Sequence, residues 1–101
     1  MTKQQLFGLP SHIVTALRAI FQQYPEINKV LLYGSRAKGN YRPGSDIDLT
    51  LDAPTLTLTQ MLTIESQIDD LMLPYKVDLS LLHQITNTDL LDHIHRVGVS
   101  F

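Results

Sequence analysis

Apolar and polar positions along the chain switch between helical and strand periods, and the order of the segments predicts the architecture. From Ser11 to Tyr24, Ile13, Leu17, Ile20, Phe21 and Tyr24 recur at the spacing of an amphipathic helix, with Ser11 placed to cap it and Pro25 to end it. Lys29-Val30-Leu31-Leu32-Tyr33 is a short β-rich run, broken at Gly34-Ser35. Three of the five glycines and Pro43 fall between Gly34 and Ser45, which predicts a loop with room for one helical turn around Arg36 to Lys38. Asp46 to Leu51 then alternates polar and apolar, the period of a half-buried strand.

Asp52-Ala53-Pro54 interrupts that strand, and a second helix is expected from about Thr57 to Leu71. Its stripe reads Leu58, Met61, Leu62, Glu65, Ile68 and Leu71 or Met72, with Met61 and Met72 as core filler. Lys76 to Leu82 alternates as a third strand. Thr86 or Asn87 can cap a last helix through Arg96, ended by Gly98, and Val99-Ser100-Phe101 can add an edge strand. The first two strands are joined without a crossover helix, so they are expected to be antiparallel neighbours. The fold class is α/β in the α+β sense: a small mixed β-sheet with helices packed on it.

A length of 101 residues, 44% of them hydrophobic, predicts one domain over 1–101 that folds without staples. Cysteine is absent, which excludes disulfides and thiolate zinc sites and suits a cytoplasmic protein. Met1 to Gln5 is polar, so no signal peptide is expected, and no apolar run approaches the roughly 20 residues that span a bilayer. The formal net charge is −2, which argues against a long nucleic acid as direct ligand. Lys29, Arg36, Lys38 and Arg42 lie close together in sequence. That cluster suits a small phosphorylated ligand, and ordinary surface solubility explains it equally well.

Candidate chemistry begins with Asp46 and Asp48, which share one face of a strand while Ile47, Leu49 and Leu51 take the other. Like charges held side by side repel, and a divalent cation removes the conflict. Mg²⁺ is typically held by one or two carboxylates, with phosphates and water completing its shell. On a later strand Val77 and Leu79 alternate inward, so Asp78 faces out with Lys76 and Ser80. If the two strands are neighbours, three carboxylates converge, as a two-metal site requires. An isolated Asp-x-Asp is more often plain surface, and the loop before it shifts the balance.

Gly34 directly follows an apolar strand and Ser35 follows it. A glycine lets backbone approach a phosphate, N–H groups at the start of a helical turn point at an anion, and a serine hydroxyl adds a donor. Lys38 and Ser45 are further candidates for the same anion. Taken alone, the segment reads as a glycine-rich hairpin loop. Gly34 and Gly39 have P-loop spacing, but Asn40-Tyr41 stands where that motif needs Lys and Ser or Thr. Read as a calcium loop from Asp46, the glycine position holds Leu51 and the final glutamate position Thr57. Both motifs fail. His93 and His95, two apart on a helix, cannot chelate one ion, and all four histidines are assigned structural or solvated roles. Tyr41 and Arg42 read as exposed loop-tip residues.

Gly34-Ser35-Arg36-Ala37-Lys38-Gly39, a five-residue gap and Ser45-Asp46-Ile47-Asp48-Leu49 resemble the signature of DNA polymerase beta-like nucleotidyltransferases, in particular their minimal nucleotidyltransferase (MNT) branch. The preceding helix and the later apolar-Asp-apolar strand extend the likeness over most of the chain. The resemblance implies that Gly34 and Ser35 cradle the triphosphate of ATP, with Lys38 and Ser45 as weaker contacts. It implies that Asp46 and Asp48 hold Mg²⁺, and that Asp78 is a third carboxylate binding the catalytic metal and helping to deprotonate an acceptor hydroxyl. The reaction implied is in-line attack on the α-phosphorus of ATP with release of pyrophosphate. Little of so short a chain remains to hold an acceptor. The resemblance therefore implies a hetero-oligomer with a helical HEPN-type partner, an antitoxin adenylylating its toxin. Two alternatives stand beside it: an antitoxin acting by contact alone, and a subunit of a drug-modifying nucleotidyltransferase.

Overall fold

In the computed structural model, which describes residues 5–101, the chain builds a four-stranded mixed sheet with helices on both faces. A short hairpin opens it: β1 (Gln5–Leu6) pairs antiparallel with β2 (Leu9–Pro10) across Phe7-Gly8, both at positive φ. The chain continues through α1 (Ser11–Phe21), β3 (Lys29–Tyr33), α2 (Gly34–Lys38), β4 (Ile47–Asp52), α3 (Leu58–Asp70) and β5 (Val77–Leu81). A 3₁₀ turn over Leu82–Gln84, α4 (Thr88–Val97) and β6 (Val99–Ser100) complete it. The sheet order is β5-β4-β3-β6. β3 runs antiparallel to both β4 and β6, as the short connection to β4 requires, while β4 and β5 are parallel and joined through α3.

Alternation along the strands divides the sheet into a packed face and a working face. Leu32, Leu49 and Leu51 are fully buried and join Ile13, Leu17, Ile64 and Ile68 of α1 and α3 in one core. The opposite face carries Tyr33, Asp48 and Asp78 in one row and Leu31, Thr50 and Ser80 in the next, as the register dictates. Thr50 is buried too, because β4 is an interior strand, and its hydroxyl donates to the Ser80 carbonyl at 3.4 Å. Leu91 and Ile94 of α4 line a cavity with Leu31, so this helix covers the β3 side of the face.

Several boundaries differ from the sequence expectation for local reasons. α1 ends at Phe21, and its N-cap is Pro10 with no side-chain hydrogen bond, so Ser11 is its first residue rather than its cap. The hairpin before it has too short a pattern to be read as strands. α3 is entered through a capping box: Thr57 Oγ1 accepts from the Gln60 N–H while Gln60 Oε1 accepts from the Thr57 N–H. Its buried stripe is Met61, Ile64 and Ile68, whereas Leu58 and Leu62 are 74% and 57% exposed. Met72 is not core filler: it stands 85% exposed in the turn after α3, at φ 53°. Asn87, not Thr86, caps α4, accepting from the Leu90 N–H at 3.1 Å. No helix among the described residues is long and apolar enough to cross a membrane.

Candidate active site

β4 begins at Ile47, which leaves Asp46 exposed just ahead of the strand and Asp48 half-buried as its second residue. Asp48 is paired in register with Tyr33 on one side and with Asp78 on the other. Neighbouring strands lie about 4.8 Å apart, so the two carboxylates are adjacent on one face. Burial pushes the Asp48 carboxyl above the usual carboxylate range, and the charges of Asp78 and then Asp46 push it further; a protonated His93 and the charge of Lys76 pull the other way. Burial likewise raises the Tyr33 phenol, opposed by Ser80 and reinforced by the charges of Asp48 and Asp78. Asp48 is thus the electrostatic centre of the site. Among the described residues, no three acidic, His or Cys side chains close into a ready-made metal cage. Asp48 stands beside Asp78, with Asp46 at the rim just ahead of the strand.

Gly34 starts α2 immediately above this pair at φ 73°, a backbone conformation that side chains disfavour. A Cβ there would stand 2.3 Å from Asp48 Oδ2. Glycine is required twice over, by its backbone and by the approach of the carboxylate. Ser35 follows half-buried, and Lys38 is exposed at the end of the helix. Ser45 has a second role: its Oγ accepts from the Arg42 N–H at 2.8 Å, which closes the turn ahead of Asp46.

The basic cluster seen in the sequence separates in space. Arg36 is only 2% exposed and donates to three backbone carbonyls: Phe7 at 2.9 Å, Pro43 at 3.2 Å and Ser45 at 2.9 and 3.2 Å. Its guanidinium lies between the rings of Tyr41 and Tyr75, at 5.2 and 5.1 Å. This cation shapes the loop and has no free face for a phosphate. Tyr41 and Arg42 are exposed, as expected, although the Tyr41 ring also packs on Arg36 and lies close to Gly8. Lys29 starts β3 opposite Asp52, roughly 13 Å by strand rise from the Tyr33 end.

Sequence reasoning set His93 aside, and the structure brings it to the site. From α4 its Nε2 accepts the Gly34 N–H at 3.0 Å, and its ring stands edge-on to Tyr33 with centroids 6.2 Å apart. Accepting at Nε2 assigns the ring proton to Nδ1. No local signal marks this contact, because 59 residues separate the partners.

The family described as "Polymerase beta, Nucleotidyltransferase" matches residues 15–101. The chain belongs to that family. Solved structures share the fold of this nucleotidyltransferase. A toxin–antitoxin with AMP-PNP is 22% identical, covers 91% of this chain and 72% of its own, and superposes with a TM-score of 0.67. The toxin–antitoxin MntA-HepT is 23% identical over 96% of this chain and 70% of its own, at a TM-score of 0.57. A tri-AMPylated HEPN toxin in complex with an MNT antitoxin, from Shewanella oneidensis, is 23% identical over 95% and 69%, at 0.58. No curated protein matches the sequence.

Proposed function

We propose that this nucleotidyltransferase moves the adenylyl group of ATP onto a hydroxyl of a helical HEPN-type partner, acting in the cytoplasm as the antitoxin of the pair. The observation that carries the chemistry is Asp48 on an open sheet face, with Asp78 beside it, Asp46 at the rim and Gly34 packed against it without a Cβ. Repelling carboxylates at the foot of a glycine turn fit Mg²⁺, with Asp46 and Asp48 as its ligands and Asp78 as a third. Bound there, the ion would neutralise charge on the phosphates. Ser35 and the backbone of the Gly34 turn would hold the triphosphate, with Lys38 and Ser45 at its margin. In the transfer, the acceptor oxygen bonds to the α-phosphorus, the bond from that phosphorus to the bridging oxygen breaks, and pyrophosphate leaves. Asp78, exposed beside Asp48, would take the acceptor's proton.

The comparisons support the partner: solved structures sharing this fold include toxin–antitoxin complexes, one holding an ATP analogue and one a tri-AMPylated toxin. The net charge of −2 suits a protein partner better than a long nucleic acid. Co-expression with the helical partner and mass spectrometry test the reading. The partner should gain adenylate mass increments with the parent chain. With Asp78→Asn transfer should slow by about 10²–10⁴ while Mg-ATP affinity is largely kept. A partner that is inhibited yet carries no adenylate would move the assignment to neutralisation by contact.

A further inference from the structure

The proposed phosphate-binding turn is already occupied from within the chain. The Gly34 N–H, first donor of the turn, is given to His93 Nε2 at 3.0 Å. On its other side Gly34 is closed by the Asp48 carboxylate, 2.3 Å from where a Cβ would stand. The imidazole is held in place by Tyr33 and by the backbone of α4, whose N-terminus is fixed by the Asn87 cap. A single N–H cannot serve an imidazole lone pair and a phosphate oxygen at full strength. We infer that His93 is a gatekeeping positioning residue of the nucleotide site: its imidazole stands in for a phosphate oxygen at the Gly34 N–H and is displaced when a nucleoside triphosphate binds.

The inference rests on the nucleotide reading of the site and adds a direction to it. A side chain that merely supports the turn would, on removal, loosen the turn and weaken nucleotide binding. A side chain that competes for the turn's donor would, on removal, strengthen it. The competing bond is one hydrogen bond between neutral groups, so the gain is modest. Displacing His93 also releases the only side-chain hydrogen bond found between α4 and the glycine turn among the described residues, so nucleotide binding and the position of α4 are coupled.

Calorimetric titration of the full chain with Mg-ATP tests this. His93→Ala should bind Mg-ATP roughly 2–10-fold more tightly than the parent, the worth of one such bond. His93→Gln, whose amide oxygen reaches a similar position, should return affinity toward the parent value. In the unmutated protein, the amide resonance of Gly34 and the Nε2 resonance of His93 should shift together as Mg-ATP is added, a measurement that needs no variant to fold. Equal or weaker binding by His93→Ala, or a Gly34–His93 bond that persists in protein saturated with Mg-ATP, overturns the inference alone. A parent chain that binds no Mg-ATP overturns the nucleotide reading, and this inference with it.

Discussion

Asp48 carries opposing demands on one side chain. It is half-buried between Tyr33 and Asp78, and its carboxyl is raised first by burial and then by two neighbouring carboxylates. A folded-state value above the unfolded one means that ionising Asp48 costs stability. The cost is absent below the ordinary carboxylate range and grows as pH rises through the raised folded value. Asp48→Asn should therefore melt at a higher temperature than the parent at neutral pH, and the advantage should vanish as the pH is lowered into that range. Thermal melts across pH, without divalent cation, check this. Gly34→Ala tests the other side of the same contact. Its positive φ and the 2.3 Å approach to Asp48 Oδ2 should cost on the order of 1–3 kcal/mol and displace the carboxylate. Denaturant unfolding and Mg-ATP titration of that variant should both show losses.

Among the elements, the loop from Gly39 to Asp46 depends on a single buried cation. Arg36 lies two residues beyond Gly34 in α2, and its guanidinium ties Phe7 of the hairpin to Pro43 and Ser45 of the loop. A planar fork with five N–H donors can serve three carbonyls and two aromatic faces together, whereas an ammonium cannot. Arg36→Lys should therefore destabilise the fold by about 2–4 kcal/mol despite keeping the charge. Chemical denaturation reads that loss, and faster proteolysis between Gly39 and Ser45 would locate it in the loop. In sequence Arg36 looks like one more surface cation of a basic cluster. Only the packing of the hairpin and of Tyr75, distant in the chain, reveals where it points.

For the molecule as a whole, the sheet places its acidic pair on the face that α4 covers only in part, while α1 and α3 seal the other. A ligand binding this face stabilises the folded chain by mass action, about 2.7 kcal/mol when its free concentration is 100 times its dissociation constant. For a domain of this size that corresponds to a rise in Tm of roughly 10–20 °C. Mg-ATP should produce such a shift, and a chelator added in excess should abolish it. The same treatment should leave Asp46→Asn with Asp48→Asn unshifted. Little of the apolar stripe of the two helices is left exposed. On α3 the exposed part is Leu58 and Leu62, one turn apart, with Met72 in the turn beyond; Ile94 is buried and Leu90, Leu91 and Val97 are partly covered.

The sequence by itself determined the longer helices and the strands of the main sheet, because each carries its own period, but not the short β1–β2 hairpin. It determined the antiparallel pairing of β3 and β4, because their connection is too short for a crossover. The nucleotidyltransferase family was legible for the same reason: the glycine-serine turn and the Asp-x-Asp are near neighbours in the chain, so their spacing is visible without a fold. The parallel register that sets Asp48 beside Asp78 joins residues 30 apart and was open until the sheet was seen. Tertiary structure alone decided that Arg36 is buried, that Leu58 and Leu62 are not, and that His93 holds the Gly34 N–H. For Arg36 and His93 a deciding partner lies on an element distant in sequence, and for Leu58 and Leu62 no neighbouring element covers them. Helical period marks a face of a helix but not the neighbour, solvent or side chain that the face meets.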